Sequence, residues 1–368
     1  MFSFTFYFFI VIVAIQFIYY VIVFRVFAFA KQQKKSLNNP PVSVIICAKN
    51  ELENLQKHIP LLLEQQYPNF EIVLIDDASS DDSLEFLEGL EKEHSNIKLI
   101  KVENNEAFWG NKKFALTLGI KSAKFDNLLF IDADCYPNSK NWIAEMSSNF
   151  SVEKTIVLGY GGYKRIRGSF LNKIIRFETL FTATQYFSWA KLGKPYMGVG
   201  RNLAYEKKDF FSVNGFVNHM KIRSGDDDLF VNEVSNSKNT NICFTPESFT
   251  YSEPKKTFKD WIFQKRRHIA TANHYKFFDR TQLVLFYFTQ ISFILTSILL
   301  LTFQFEWILV LCIIGFRYLF AWIILGYSAS KLNEKEVMYW FPIIEIALIF
   351  SQLYFFVLNS FSKPVHWK

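Results

Sequence analysis

Long apolar runs lie at both ends of the chain, and shorter apolar runs alternate with amphipathic stretches between them. The first run carries no charged residue until Arg25, and later runs fall near residues 283–303, 307–327 and 338–361. A helix rises about 1.5 Å per residue, so each run is long enough to cross a bilayer. Arg317 and Glu345 fall inside the last two runs, and charges at such positions usually face a protein interior.

The apolar runs divide the chain into four predicted parts. These parts are an N-terminal transmembrane helix at 1–30, a linker at 31–41, a soluble domain at 42–275 and a C-terminal membrane region with two or three transmembrane helices at 276–368. Lys31, Lys34 and Lys35 follow the first run, and cytoplasmic flanks of membrane helices carry an excess of Lys and Arg. We therefore expect a multi-pass protein of the cell (plasma or inner) membrane whose soluble domain is cytoplasmic.

β-Branched runs alternate with helical stretches through the first half of the soluble part. Strands are predicted at 42–48, 71–75, 97–102 and 127–131, and helices at 51–66, 81–94 and 112–123. This alternation predicts an α/β fold with a doubly wound, mostly parallel sheet. Ligands bind beyond the carboxyl ends of the strands in such sheets. Asp76 and Asp77 follow the second strand, and Asp132 and Asp134 follow the fourth, so both pairs should face one crevice.

Composition narrows the functional class. The net charge is +7, but no basic stripe with interleaved aromatic residues is present, so we expect no nucleic-acid partner. The first strand ends without a GxGxxG sequence, which excludes a Rossmann dinucleotide site. The cysteines are widely spaced at Cys47, Cys135, Cys243 and Cys312. That spacing is not typical of a structural zinc site or a disulfide framework, so we expect a reducing compartment.

Asp132 and Asp134 lie two residues apart, directly after the fourth predicted strand. Mg²⁺ and Mn²⁺ prefer oxygen ligands and are often held by one or two carboxylates together with substrate phosphates. An Asp-x-Asp pair is short, however, and also occurs as a polar turn that ends a strand. Asp76 and Asp77 are likewise open to two interpretations: ligands for a nucleotide base or ribose, or a turn and helix N-cap cluster.

Asp226, Asp227 and Asp228 follow Gly225 and form the longest uninterrupted run of acidic residues in the chain. Adjacent carboxylates repel one another, which raises at least one pKa, and a carboxylate in a cleft can take the proton of an attacking hydroxyl. The alternative is an exposed acidic loop that caps a helix. Lys112, at a predicted helix start, suits a phosphate group or is simply a solvated lysine.

Gln264 and Arg267 lie three residues apart on a predicted basic helix at 261–275 and therefore share one face. Such a face suits a pyrophosphate, for which Arg is a bidentate partner. The alternative is a basic helix beside the membrane that follows the positive-inside bias. A further amphipathic stretch at 169–189 is predicted to lie in the membrane interface.

Together the motifs occur in a specific order. In chain order they are Pro41-Val42-Ser43-Val44-Ile45-Ile46-x-Ala48-x-Asn50-Glu51, Asp76-Asp77-x-Ser79-x-Asp81, Lys112-x-x-Ala115-Leu116, Asp132-x-Asp134, Gly225-Asp226-Asp227 and Gln264-x-x-Arg267. This order resembles the family-2 inverting glycosyltransferases, which have a GT-A fold. It is most similar to the membrane-integrated branch that includes cellulose, chitin and hyaluronan synthases and ceramide glucosyltransferase.

The resemblance implies a role for each matched residue. The implied nucleotide-sugar-binding residues are Asn50, Glu51, Asp76, Asp77, Lys112, Asp132, Gln264 and Arg267. The implied ligands of Mg²⁺ or Mn²⁺ are Asp134 and Asp132, and Asp227 would be the catalytic base with Asp226 beside it. The implied reaction moves a sugar, which we expect to come from a UDP-sugar, to a hydroxyl of a lipid, lipid-linked or polysaccharide acceptor.

Two positions depart from the family pattern. His268 stands where the processive synthases carry a Trp that lines the acceptor site, which counts against processive polymerisation. Asp226 replaces the usual Glu but keeps a carboxylate. Two other functions stay open. A polyprenyl-phosphate sugar synthase would not need the Gln-x-x-Arg motif, and a non-catalytic membrane transporter or scaffold would need neither Asp134 nor Asp227.

Overall fold

The structure is a computed structural model that describes residues 2–32, 39–103, 112–222 and 224–361, without the side chain of His268. Most of the predicted linker at 31–41, including Lys34 and Lys35, lies outside these ranges. Residues 362–368 of the predicted C-terminal region lie outside them as well.

Apolar and β-branched residues fill the strands. The described strands are β1 (Val42–Ala48), β2 (Phe70–Asp76), β3 (Ile97–Lys101), β4 (Asn127–Phe130), β5 (Cys135–Pro137), β6 (Ile156–Leu158), β7 (Gly161–Tyr163), β8 (Leu203–Glu206), β9 (Thr240–Ile242) and β10 (Thr250–Ser252). Every residue of β1 except Cys47 is buried, as is typical of a central parallel strand covered on both faces. The strands predicted from the sequence correspond to β1–β4.

Within the described residues, the strands form a seven-stranded sheet of order β3-β2-β1-β4-β8-β6-β9 and a three-stranded sheet of order β5-β10-β7. In the larger sheet β8 runs antiparallel to its two neighbours, and the other strands are parallel to one another. The predicted α/β fold with a mostly parallel sheet is therefore confirmed. The register pairs Ala48 with Asp76, so β1 and β2 end at the same edge.

Helices connect the strands and form the apolar ends of the chain. The described α-helices are α1 (Phe2–Ile18), α2 (Arg25–Ala28), α3 (Leu52–Leu63), α4 (Ser83–Glu93), α5 (Lys112–Ser122), α6 (Trp142–Ser147), α7 (Phe170–Lys191), α8 (Lys207–Ser212), α9 (Asp228–Val234), α10 (Phe258–Thr271), α11 (Phe277–Thr302), α12 (Trp307–Lys331) and α13 (Phe341–Phe361). A π-helical turn at Tyr19–Phe24 joins α1 to α2. The predicted connecting helices correspond to α3, α4 and α5.

The described residues divide into two compact units. The helical unit comprises residues 2–31, 168–192 and 256–361. The sheet unit comprises residues 39–103, 112–167, 193–222 and 224–255, and it carries both sheets. Residues 168–192 and 256–275 thus pack with the apolar helices, although they fall within the predicted soluble domain at 42–275. The predicted interface position of the stretch at 169–189, which forms most of α7, stays a prediction.

The helical unit contains the candidate membrane spans. Among the described residues, four segments are long and apolar enough to cross a membrane, namely Phe2–Ala28, Phe277–Thr302, Trp307–Lys331 and Lys335–Phe361. Large apolar side chains on these segments, such as Leu295, Leu319 and Phe356, are exposed in the structure. Exposed apolar surface of this extent is typical of helices that face lipid.

A buried polar network connects these segments. Arg317 forms a bidentate ion pair with Glu345, with Nη1–Oε2 and Nη2–Oε1 distances of 2.6 and 2.8 Å. Its Nε donates to Gln16 Oε1 at 2.7 Å, and its Nη2 donates to Gln290 Oε1 at 2.8 Å. The Tyr20 hydroxyl donates to Glu345 at 3.2 Å. Each of these side chains is at most 4% exposed, so the charges are enclosed by protein, as their position in apolar runs predicts.

We predict that Arg317→Met destabilises the folded protein, because it leaves the Glu345 carboxylate buried without its counter-ion. Breaking a buried ion pair typically costs about 3–5 kcal/mol. The measurement is the thermal midpoint of unfolding in detergent, with Leu319→Met on the exposed side of α12 as the control. A double Arg317→Met, Glu345→Met variant should recover part of the loss, since it leaves no buried charge. An unchanged midpoint in the single variant contradicts the prediction.

Candidate functional site

The acidic pair that follows β2 is buried. Asp76 is 2% exposed and Asp77 is 5% exposed. Asp76 Oδ2 accepts from the Ser79 backbone N–H at 3.1 Å, and Lys49 Nζ lies 3.8 Å from Asp77 Oδ2. Asp76 Oδ1 and Asp77 Oδ2 have no hydrogen-bond partner among the described residues. Burial, opposed by Lys49, raises the pKa of Asp77. Buried carboxylate oxygens without a donor are costly, and such atoms suit a ligand that supplies N–H or O–H groups.

Asn50 and Glu51 lie in the loop that follows β1, beside the loop that follows β2. Asn50 has a positive φ of 54°, and Asn tolerates this left-handed conformation better than most residues. Its Oδ1 accepts from the Ser80 backbone N–H at 2.7 Å, and its own N–H donates to Ser79 Oγ at 3.0 Å. The Glu51 N–H donates to Ser83 Oγ at 3.1 Å. These contacts connect the two loops, whereas the nucleotide-binding role of both residues stays a prediction.

A tight turn brings Asp132 and Asp134 together directly after β4. The Cys135 N–H donates to the Asp132 carbonyl at 2.9 Å, and one ligand atom from each of these residues lies within 4.8 Å of the others. Burial, and then the charges of Asp134 and Asp132, raise the pKa of the Cys135 thiol well above its ordinary value. The carboxylates suit a hard divalent cation, and the protonated thiol does not.

Lys112, the first described residue of α5, connects this turn to the acidic loop that precedes α9. Its Nζ lies 2.8 Å from Asp132 Oδ1 and 2.9 Å from Asp226 Oδ2. Although burial opposes both shifts, these ion pairs raise the pKa of Lys112 and lower that of Asp226. The ammonium is therefore held between two carboxylates. Its predicted contact with a nucleotide-sugar stays a prediction.

Asp227 is held by backbone donors. The Gly200 N–H donates to Asp227 Oδ2 at 2.6 Å, and the Asp228 N–H donates to Oδ1 at 2.8 Å. Burial, followed by the charges of Asp228 and Asp226, raises the pKa of Asp227 to about 7. A Cβ atom at Gly200 would lie 3.3 Å from Asp227 Oδ2, so glycine permits this close approach. A carboxylate with such a pKa suits general-base chemistry near neutral pH.

Cys47, near the end of β1, lies close to several of the charged residues described above. Burial raises the pKa of the Cys47 thiol. The charge of Lys112 opposes this shift, and the charges of Asp77, Asp226 and Asp132 add to it. A cavity at this edge is lined by residues that include Cys47, Lys112, Asp132, Asp226 and Asp227. The structure thus brings Asp132 after β4 together with Lys112, Asp226 and Asp227. The prediction that Asp76 and Asp77 share this crevice stays a prediction.

Gln264 and Arg267 lie on α10 in the helical unit. Thr257 caps α10 through its Oγ1, which accepts from the Asp260 N–H at 3.2 Å. Lys265 Nζ pairs with Glu178 Oε2 of α7 at 2.8 Å. The i, i+3 spacing on one helix is as predicted, and the contact of both motif residues with a diphosphate stays a prediction.

Two cationic residues near the site, Arg201 and Lys113, do not belong to the motifs identified from the sequence. The Arg201 guanidinium stacks on the Tyr163 ring at 4.4 Å, and its Nη1 donates to Gly162 O at 3.3 Å and to Ser252 Oγ at 3.4 Å. Although burial opposes it, Tyr163 and the acidic groups nearby, which include Asp134, raise the pKa of Arg201. A charged residue inside the glycine-rich bend at 198–202 is the signal that could have identified it.

The second cation is Lys113. Its side chain is 1% exposed, and it shares the buried face of α5 with Leu116 and Ile120. The sequence signal for Lys113 is its place in the i, i+3, i+7 series of an apolar helical face. A lysine at such a position indicates a specific set of hydrogen-bond acceptors, because burying an ammonium without them is costly.

Two family models match the chain. The model described as Glycosyl transferase family 2 matches residues 43–211, and the model described as Glycosyl transferase family group 2 matches residues 131–353. The second match alone covers more than half of the chain.

Curated relatives of known name are similar over part of their length. A dolichyl N-acetyl-alpha-D-glucosaminyl phosphate 3-beta-D-2,3-diacetamido-2,3-dideoxy-beta-D-glucuronosyltransferase from Methanococcus voltae is 31% identical over 176 residues, which is 46% of this chain and 50% of that protein. A poly-beta-1,6-N-acetyl-D-glucosamine synthase from Staphylococcus epidermidis is 33% identical over 93 residues, 25% of this chain and 21% of that protein. The chain therefore spans half or less of the length of these relatives.

Among solved structures, the mannosyltransferase PcManGT from Pyrobaculum calidifontis, in complex with GDP-Man and Mn²⁺, is similar with a TM-score of 0.60. The match covers 88% of this chain and 97% of that chain at 15% sequence identity, so it shows a shared fold. The sheet topology, the position of the carboxylates at the strand ends and the family matches agree. The chain belongs to the family-2 glycosyltransferases and has the GT-A fold.

Proposed function

We propose that the chain is a membrane-bound inverting glycosyltransferase. It moves a sugar from a nucleotide-diphosphate sugar, which we take to be a UDP-sugar, to a hydroxyl of a lipid, lipid-linked or polysaccharide acceptor. The observation that carries this proposal is the ion-paired group of Lys112, Asp132 and Asp226, with Asp227 held beside it by Gly200. Through Lys112 this group links Asp132, a proposed cation ligand, to Asp226, the neighbour of the proposed base.

Asp132 and Asp134 are the proposed ligands of Mg²⁺ or Mn²⁺. Their carboxylates end β4 in one turn, and both are hard oxygen donors. A divalent cation bound there would supply positive charge against the diphosphate of the donor. Asp76 Oδ1 and Asp77 Oδ2 are buried without a hydrogen-bond donor in the part of the chain that the structure describes, which supports a role for this pair in binding the base or ribose.

Asp227 is the proposed general base. Its carboxylate takes the proton of the acceptor hydroxyl as the hydroxyl oxygen forms a bond to the anomeric carbon. The bond from that carbon to the diphosphate oxygen breaks, and the nucleoside diphosphate leaves with the bonding electrons. An α-linked donor thus gives a β-glycoside. The raised pKa of Asp227 supports a hydroxyl acceptor over a polyprenyl phosphate, since a phosphate is already anionic and needs no base.

The apolar segments of the helical unit support a membrane location with several spans. The lysines that follow the first span support a cytoplasmic sheet unit under the positive-inside bias. By name, one of the two curated relatives acts on a dolichyl-linked sugar and the other makes a polysaccharide. Both support an acceptor that is lipid-linked or polymeric.

We predict that the purified protein releases nucleoside diphosphate from one donor in a panel of UDP-sugars and GDP-mannose, and only with Mn²⁺ or Mg²⁺ present. Asp134→Ala should lower this release about 100-fold or more, because the cation loses a ligand. Glu53→Ala is the control, since Glu53 is an exposed carboxylate on α3. Equal activity of the Asp134 variant, or release without any divalent cation, contradicts the proposal.

The proposed base predicts a pH dependence. Activity requires the Asp227 carboxylate to be deprotonated, so kcat/KM should rise with pH through about 7. Asp228→Asn removes a charge that raises this pKa and keeps the side-chain oxygen that accepts from the Leu229 N–H. The acidic limb should therefore move to lower pH in this variant. A limb that stays in place, measured from pH 5 to 9, argues that another group titrates.

A matched pair on α10 tests the Gln-x-x-Arg assignment that the resemblance implies. Arg267→Ala should weaken the binding of UDP or GDP about tenfold or more, as expected for a lost charge-assisted contact. Arg266→Ala is the control, because Arg266 Nε donates to Asn359 Oδ1 at 2.8 Å within the helical unit. Calorimetric titration of both variants measures the difference. Equal affinities would contradict a role for Arg267 in nucleotide binding.

A further inference from the structure

Lys113 contacts the segment that leads into the acidic loop. Its Nζ donates to the carbonyl oxygens of His219 at 2.8 Å, Ile222 at 2.9 Å and Ser224 at 2.8 Å. An ammonium has three N–H donors, and these acceptors match them. A buried ammonium is tolerated only when it is hydrogen-bonded in this way. Lys113 therefore holds the backbone immediately before Gly225.

The chain turns sharply directly after Ser224, the last residue whose carbonyl accepts from Lys113. Gly225 has a φ of +91°, and a Cβ atom there would lie 2.4 Å from Leu229 Cδ1. The next two residues are Asp226 and Asp227. A shift in the carbonyl groups before this turn would therefore move both carboxylates, because only the turn separates them.

The two lysines at the start of α5 act on opposite sides of this turn. Lys113 binds the backbone that precedes Gly225, and Lys112 pairs with the Asp226 side chain that follows it. Both side chains project from one helix, so the acidic loop is fixed to α5 at two points. The Gly200 N–H holds Asp227 from another element, the bend before β8.

We propose that Lys113 is a positioning residue that sets the acidic loop so that Asp226 faces Lys112 and Asp227 faces Gly200. This inference rests on the proposed function of Asp227 as the base. The Lys113 ammonium acts through these loop carbonyl groups. Its loss should lower the rate of the chemical step and leave donor binding largely intact, because the proposed cation ligands and the Asp76–Asp77 pair lie on other elements.

The positioning role of Lys113 should depend on pH, because its surroundings shift the pKa of its ammonium. Burial lowers its pKa to about 8, with partial opposition from the charges of Asp226, Asp228 and Asp227. The neighbouring ring of His219 lies 3.5 Å from the Glu233 carboxylate. Above pH 8 a neutral amine keeps only two N–H donors and turns a lone pair toward a carbonyl oxygen. An arginine at this position would stay charged throughout.

The test compares Lys113→Met and Lys113→Arg with Lys121→Met, which changes an exposed lysine on the same helix. Nucleoside diphosphate release is measured from pH 6 to 9.5. Lys113→Met should lower kcat at least tenfold with less than a threefold change in donor KM. Lys113→Arg should restore part of kcat and lose the alkaline limb near pH 8. Unchanged kcat in Lys113→Met overturns the proposal.

Hydrogen exchange provides a readout that does not depend on activity. Amides of residues 219–222 and 224–228 should exchange at least tenfold faster in Lys113→Met, while those of β1–β4 keep their wild-type rates. Protection that is unchanged in the loop, or lost equally in β1–β4, overturns the positioning role. If the wild-type protein releases no nucleotide from any donor, the proposed function fails, and the exchange result still decides whether Lys113 holds the loop.

Discussion

The ion pairs of Lys112 hold the candidate site together. Its ammonium lies 2.8 Å from Asp132 and 2.9 Å from Asp226, and so connects the turn after β4 with the loop before α9. Without a cation between them, these carboxylates and Asp227 would repel one another in a buried setting. The pairing keeps Asp226 charged and leaves Asp227 as the carboxylate whose pKa rises to about 7. Two neighbouring aspartates thus have pKa values shifted in opposite directions: the pairing with Lys112 lowers that of Asp226, and burial raises that of Asp227.

Local sequence patterns determine much of this arrangement. The Val-Ser-Val-Ile-Ile run of β1 predicts a buried parallel strand, and parallel strands end at one edge of a sheet. That rule predicts Asp76 and Asp77 at the same edge as Asp132 and Asp134, and β2 and β4 do lie on either side of β1 and parallel to it. The apolar runs likewise predict helices that enclose Arg317, because an isolated charge in such a run is costly.

Pairings between distant residues follow from no local pattern. β8 runs antiparallel beside β4. The sequence does not predict this pairing, because the strands from residue 156 onward are only three or four residues long and show no regular alternation. Lys113 breaks an apolar helical face, yet its acceptors are backbone carbonyls about 110 positions away in sequence. Arg201 stacks on Tyr163 of β7, a strand too short to predict. Contacts of this kind depend on the assembled fold.

Electron paramagnetic resonance of Mn²⁺ tests the central claim most directly, because it reports on the cation and on phosphorus nuclei near it. With UDP or GDP added to the intact protein in detergent, the account predicts about one bound Mn²⁺ per chain with phosphorus coupling from the diphosphate. Asp134→Ala should abolish this signal, whereas Glu53→Ala should leave it unchanged. A signal that survives the loss of Asp134, or a wild-type protein that binds Mn²⁺ without coupling to the nucleotide, would contradict the account.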